Sequence, residues 1–263
     1  MVELRKQTFQ DFELLIVRGV SPQGKAINLG ARAAAGKVLI VMDDDTQIDQ
    51  PDLIEKLVRS LDENPDVAMA GASIVSPPEG LNSFQRTAAK QFPRFHMPVV
   101  ERLTDSDLAC HGCVAFRRDV FEAVGMEREN ILRGLDPDLR VRIRKAGYRV
   151  VLVPKAWVYH PFPASVQKFV RLFFRNGYGS AYTQIFHPEM SFDTDEALTS
   201  QNFVPKRSFV YRIFRFPLRL LKSLSAFQGI RFLGYTVYAL GFLTGYLRLT
   251  LERLCSRQKF STH

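Results

Sequence analysis

Apolar residues in the first 160 positions fall into short runs separated by helical patterns, an alternation that predicts an α/β domain. Residues 12–17 (Phe-Glu-Leu-Leu-Ile-Val) read as a buried strand. Residues 18–25 form a loop punctuated by Gly and Pro, and a helix is expected over 26–35, ending at Gly36. Residues 38–42 give a second β-branched run. Asp49 is placed to cap the next helix, with Pro51 in its first turn. Leu53, Ile54, Leu57, Val58 and Leu61 form that helix's apolar face, and Asn64-Pro65 ends it before a third strand over 67–75. The alternation predicts a mixed, mainly parallel sheet flanked by helices, a Rossmann-like arrangement with its ligand site at the carboxyl ends of the strands.

The middle of the chain is less regular. Residues 77–98 mix basic and aromatic side chains with partial helicity expected, and 108–116 read as a strand followed by a helix over 118–124. A helix over 137–146 carries Leu139, Val141 and Ile143 and is closed by Gly147. Strands over 149–153 and 157–159 and a helix over 165–175 follow. The expected division is a catalytic-type domain over 1–200 and a separate helical region over 201–263.

That last region changes the picture through its charge. The net charge is +9, and from Lys206 onward eleven Lys and Arg face a single acid, Glu252, so the tail carries the whole excess. Residues 204–227 interleave Lys206, Arg207, Arg212, Arg215, Arg219 and Lys222 with aromatics and leucines, a composition suited to an amphipathic element on anionic lipid. Residues 232–247 then hold no charge, but sixteen residues fall short of the roughly 20 that a spanning helix needs. Gly241-x-x-x-Gly245 fits a small-residue helix contact. An interfacial or re-entrant helix pair is expected on the cytoplasmic face of a membrane, and no nucleic-acid module is recognisable. Three cysteines and a polar N-terminus without an apolar leader fit a reducing compartment.

Candidate chemistry starts at Asp43-Asp44-Asp45, where three acids follow an apolar strand abruptly. Adjacent carboxylates repel, and a hard divalent cation such as Mg²⁺ or Mn²⁺ supplies the missing counter-charge; a solvated acidic turn is the plainer alternative. Gly19-Val20-Ser21-Pro22-Gln23-Gly24-Lys25 has P-loop spacing, which raises a nucleotidase as a rival, but Ala26 stands where a Mg²⁺-holding hydroxyl belongs. A phosphatase D-x-D-x-T/V motif fails at Gln47. Cys110-His111-Gly112-Cys113 has no second ligand pair for zinc and reads as buried strand cysteines. Asp136-Pro137-Asp138 sits at a helix start, where an acid can cap or act as a base, and His160 ends an apolar strand.

Taken in order, these pieces resemble the inverting, GT-A-fold nucleotide-sugar glycosyltransferases of family 2, over about Gln7 to Tyr182. Gln7-Thr8-Phe9 with residues 12–17 is similar to the family's "Q-x-F-x-x-x-E-I-I-V-V" strand. Gly24-Lys25-Ala26-Ile27-Asn28-Leu29-Gly30 with Ala35-Gly36 is similar to "N-x-G…A-x-G", and Asp43-Asp44-Asp45 falls at the D-x-D motif. Phe116-Arg117-Arg118 to Val124-Gly125, Asp136-Pro137-Asp138-Leu139 to Gly147-Tyr148-Arg149, Val153-Pro154 to His160, and Arg171 to Gly179 resemble the family's later segments.

The resemblance implies transfer of a sugar from a nucleotide diphosphate donor, with a divalent metal, to a glycan or lipid-linked acceptor. It implies Asp136 as catalytic base; Lys25, Asn28, Asp43, Asp44 and Arg175 on the nucleotide side; Asp45 and His160 at the metal; and Asp138 and Arg142 in support. The tail adds an anionic membrane surface as partner. Three departures accompany it: the family's first strand ("V-S-V-I-I-P-x-Y-N") has no counterpart ahead of Gln7, Arg18-Gly19-Val20 replaces the acids after the second strand, and Leu135 stands where a glutamate is usual. These departures raise, as the alternative, a catalytically impaired, membrane-peripheral protein of the same fold.

Overall fold

The computed structural model describes residues 2–92, 99–188 and 208–260. In chain order the elements are α1 (Val2–Arg5), α2 (Gln23–Ala33), β1 (Val38–Met42), α3 (Leu53–Asp62), β2 (Val67–Val75), α4 (Ser83–Gln91) and β3 (Thr104–Asp105). They continue with β4 (Cys113–Arg117), α5 (Arg118–Ala123), α6 (Leu135–Lys145), β5 (Arg149–Tyr159), α7 (Val166–Phe186), α8 (Phe209–Ser225) and α9 (Gly229–Phe260).

The sheet has the order β1-β4-β2-β5-β3. Only the β2–β5 pairing is parallel; β1–β4, β2–β4 and β3–β5 are antiparallel. The sheet is therefore mixed but not mainly parallel in its ladders. The reason is β4, which runs against its neighbours and inserts between β1 and β2. Those two strands and β5 still share one direction, so their carboxyl ends meet on one side as the alternation of elements implied.

Both faces of the sheet are covered. Side chains alternate along β2, Met69 joining Leu39, Phe116, Phe121, Leu139 and Ile143 on one face. Ala70 and Ala72 join Leu53, Leu57, Leu61 and Val158 on the other. The small residues of β2 serve a second purpose. A β-carbon at Gly71 would lie 2.8 Å from the backbone of Ala109, so only glycine lets the 108–112 loop lie directly on the sheet.

Several expected elements differ. Residues 12–17 carry no ladder, and Leu14, Leu15 and Ile16 are exposed. Apolar composition made this segment look buried, but a strand needs a partner edge. Here Val17 faces Gly30 of α2 instead, and Glu13 Oε1 accepts from the Ala35 amide just past that helix's end. Helix α3 starts at Leu53 with Asp52 at its N-cap, so Asp49 caps nothing and instead accepts from the Tyr159 hydroxyl. Residues 108–112 are loop, and only 113–117 pair as a strand. The two strands expected around Pro154 are one, β5, with a register shift and Lys155 at positive φ. Part of the 77–98 segment (93–98) and Lys206 and Arg207 of the basic stretch lie outside the described residues.

Helix α9 packs along α7 through its small residues. Gly241 faces the Phe174 backbone and Gly245 faces Tyr178, the contact that their spacing implied. Across the same seam Gly177 faces the Tyr238 carbonyl. Phe92, Phe162, Phe169, Phe173 and Val237 close an aromatic cluster between α4, α7 and α9. In turn α7 supports the segment ahead of α6: Thr183 Oγ1 donates to the Arg133 carbonyl at 3.2 Å, and Gly179 lies against the Arg133 side chain.

Alanine is favoured over glycine in a helix by about 1 kcal/mol. At Gly177 that gain is outweighed, because the new methyl would collide with a backbone carbonyl. Gly177→Ala is therefore expected to lower the urea-unfolding free energy by about 1–3 kcal/mol.

Candidate active site

The turn after β1 carries the acids. The Thr46 amide donates to the Asp43 carbonyl at 3.2 Å, closing the turn, and Thr46 Oγ1 donates to the Gly112 carbonyl at 3.0 Å, tying it to the 108–112 loop. The chain then crosses the end of the sheet. Gln47 exchanges two backbone hydrogen bonds with Tyr159, at 2.8 and 2.9 Å, beside the last residue of β5. That crossing brings Asp45 to His160 although β1 and β5 are not neighbours: Nε2 and Oδ1 are 3.1 Å apart.

Asp43, Asp45 and His160 each offer a ligand atom, all within 4.8 Å of one another. Two carboxylate oxygens and an imidazole nitrogen suit Mn²⁺, and the oxygens suit Mg²⁺. The electrostatics fit a cation-binding role. Burial pushes the Asp43 carboxyl up, with Asp136 and Asp45 adding to it against the opposing charges of His111 and His160. The hydrogen bond to His160 holds Asp45 low, and the same bond raises His160. Asp44 is exposed on the turn.

The second group stands on the first turn of α6, which begins at Leu135 and so includes Asp136. Asp136 Oδ1 accepts twice from His111, from the backbone amide at 2.7 Å and from ring Nδ1 at 2.9 Å. His111 Nε2 lies 2.8 Å from Glu127 Oε1. Burial would raise Asp136, but the His111 charge, its ring hydrogen bond, Arg140 and the His111 amide hold it well below the usual carboxylate range. Burial would lower His111, yet Asp136 and Glu127 together raise it to about 10. Arg133 carries its charge near Asp136, Asp43 and Arg175; burial and Arg175 lower it. Its guanidinium donates to Asn176 on α7.

The structure places the other expected site residues as follows. Lys25 is exposed on α2, whereas Gly24 is packed in that helix's first turn against Leu135 and the Arg128 carbonyl. A P-loop follows a sheet strand, and residues 12–17 ahead of this loop make no ladder, which counts against the nucleotidase reading. Asn28 is buried; its amide donates to the Glu127 carbonyl at 2.8 Å and its Oδ1 accepts from the Glu127 amide at 2.9 Å. Asp138, also buried, accepts from Arg142 at 2.7 Å and lies 3.4 Å from Arg128. Arg142 also donates to the Val124 carbonyl at 2.6 Å, so this pair pins the 124–128 segment to α6. Arg175 is exposed on α7, near enough to Arg133 to lower it.

Sequence reasoning missed His111 and Glu127 as members of the site. His111 was visible only as the residue between two cysteines, and Glu127 carried no signal at all. Burial raises both thiols, Cys110 to about 12, so neither is a reactive thiolate.

The family model described as "Glycosyltransferase like family 2" matches residues 7–179, about two thirds of the chain. Two curated relatives are similar over parts of their length. The amylovoran biosynthesis glycosyltransferase AmsE of Erwinia amylovora is 25% identical over 131 residues, 50% of this chain and 47% of that protein. The glucosyl-dolichyl phosphate glucuronosyltransferase of Haloferax volcanii is 28% identical over 189 residues, 64% of this chain and 58% of that one. The chain thus spans about half the length of these relatives. Among solved structures, the mannosyltransferase PcManGT from Pyrobaculum calidifontis, in complex with GDP-Man and Mn²⁺, aligns with a TM-score of 0.51 at 14% identity. The alignment covers 86% of this chain and 68% of that one, and it shows a shared fold.

An Mn²⁺ ion taken up by the Asp43–Asp45–His160 cluster would have to displace the proton shared between Asp45 and His160. Because the His160 pKa is raised, Mn²⁺ affinity should climb as pH rises through that value, and Asp45→Ala should weaken binding at least about tenfold. Titration followed by electron paramagnetic resonance measures both.

Proposed function

The chain belongs to the glycosyltransferase family 2-like proteins, and from that premise we propose that it moves a sugar from a nucleoside diphosphate donor to a hydroxyl of a membrane-associated acceptor, by a single inverting displacement. The observation that carries this reading is the arrangement at one sheet end: an Asp136 held by two hydrogen bonds from His111 beside an Asp43–Asp45–His160 ligand set.

Asp43, Asp45 and His160 would hold a divalent cation, which supplies neutralisation of the diphosphate charge as the bond to the sugar breaks. Arg133, with Arg175 beside it, adds positive charge on the same side. Asp136 Oδ1 is occupied by the two His111 donors, which leaves Oδ2 to receive the acceptor's proton. The acceptor oxygen bonds to the anomeric carbon as the carbon–phosphate oxygen bond opens on the opposite face, and the nucleoside diphosphate departs. No second carboxylate is needed, because no covalent sugar–enzyme intermediate forms.

The membrane part of the proposal rests on α8 and α9. No helix among the described residues is long and apolar enough to cross a membrane. Helix α8 instead turns Val210, Phe214, Leu218 and Leu221 outward at helical spacing, with Phe214 74% exposed, and Phe227 beyond its end is 95% exposed. Leu240, Leu243, Leu247, Leu251 and Leu254 form a comparable exposed stripe on α9. Arg215, Arg219 and Lys222 on α8 would add about 1 kcal/mol each at an anionic surface. Peripheral attachment to the cytoplasmic face, with the acceptor presented there as a lipid-linked or envelope glycan, follows from this reading.

Two results test it. Asp136→Asn should reduce transfer by 10²–10⁴-fold, the range of a lost general base, with donor affinity unchanged by calorimetry. Phe214→Glu with Leu218→Glu should abolish co-sedimentation with anionic vesicles at an unchanged melting temperature. Equal sedimentation of the double variant and the parent would sink the membrane assignment. These surface changes are preferable to removing the tail, because α9 also contributes Val237 and Leu249 to the interior.

A further inference from the structure

Glu127 is a carboxylate with no exposed surface, and its Oε2 has no hydrogen-bond partner. Burying such a group costs several kcal/mol unless a cation compensates it. Its placement is nevertheless deliberate. Asn28 clamps the Glu127 backbone from both sides, and the Asp138–Arg142 pair fixes the segment that carries it. The group facing it is His111, 3% exposed, whose second nitrogen faces Asp136.

Both ring nitrogens therefore meet carboxylate oxygens, at 2.8 and 2.9 Å. A neutral imidazole has one N–H and one lone pair, so one of these contacts would set lone pair against carboxylate. An imidazolium donates to both. We propose that His111 is a positioning residue for the base: Glu127 keeps its ring doubly protonated, and the imidazolium keeps Asp136 ionised, with Oδ1 occupied and Oδ2 turned to the acceptor. This inference rests on the reading of Asp136 as the base.

The need for such a cation follows from the surroundings. Asp43 lies close enough to Asp136 to raise its own proton affinity, and Glu127 adds a third negative group. From α6 come Asp136 and Arg140; from the end of β1, Asp43; from the segment ahead of α6, Arg133; and from its own loop, Cys110. Arg140 is committed in part to the Ala109 carbonyl, to which it donates at 2.6 Å. Without the imidazolium, a sheltered Asp136 beside other acids would retain a proton to higher pH and lose its capacity to accept one.

The test is ¹⁵N NMR of the histidine side chains in the whole protein, with the His111 ring assigned through its own backbone resonances. In the parent, both His111 nitrogens should carry protons from pH 6 to 9. In Glu127→Gln, the second proton should leave at lower pH. A neutral His111 ring at pH 7 in the parent overturns the inference, and that measurement requires no variant to fold.

Activity supplies the second readout. In His111→Asn, which retains a neutral donor, the acid limb of the kcat/KM profile should move up by at least about one pH unit, at unchanged donor affinity. An unmoved limb at full activity reduces His111 to a packing residue and overturns the inference. The two readings fail separately. Full activity in Asp136→Asn with a doubly protonated His111 removes the base and leaves the ionic clamp. An inactive Asp136→Asn with a neutral His111 removes the clamp and leaves the base.

Discussion

Asp43, Asp45, Asp136 and Glu127 crowd toward one end of a single sheet, and like charges so placed repel unless something positive stands between them. Much of the local architecture supplies that positive charge. His160 arrives at the end of β5 to meet Asp45, and His111 arrives on a loop pressed against the sheet to separate Asp136 from Glu127. Arg133 and Arg140 flank the same region. A divalent cation and the diphosphate of a donor would enter this balance as one more pair of opposite charges.

Precision in such a site comes from the backbone beneath it. Gly71 allows the 108–112 loop to touch the sheet, and the Thr46 to Gly112 hydrogen bond ties that loop to the acidic turn. On the other side, α9 braces α7 through Gly177, Gly241 and Gly245, and α7 holds the segment that leads into α6. The helix pair that offers an apolar outer surface is thus mechanically continuous with Asp136. The exposed apolar stripes and Asp136 share one support.

Much of this was legible in the sequence because it rested on local signals. The β-branched run before Asp43, the periodic face of α3 and the glycine after α6 located those elements, with shifts of two or three residues at the helix starts. Ordered motifs pointed to Asp43, Asp45, Asp136 and His160, and these the structure gathers at one sheet end. What was not legible depended on pairing between distant parts. Residues 12–17 had strand composition but no partner edge, and the antiparallel course of β4 is set by contacts with β1 and β2 that no local pattern encodes. Glu127 carried no local signal; only its approach to His111, sixteen residues away, gives it meaning. Asn28, expected on the nucleotide side, has its amide engaged in holding Glu127, a pairing that no local pattern encodes.

The central claim is that the acids after β1 grip a nucleoside diphosphate through a divalent cation. Calorimetry of the whole protein with UDP, GDP and dTDP, each with and without Mn²⁺, tests it most directly. The account predicts that at least one diphosphate binds only when Mn²⁺ is present, and that Asp45→Ala abolishes this binding. Binding of none of them, or Mn²⁺-independent binding that Asp45→Ala leaves intact, would contradict it.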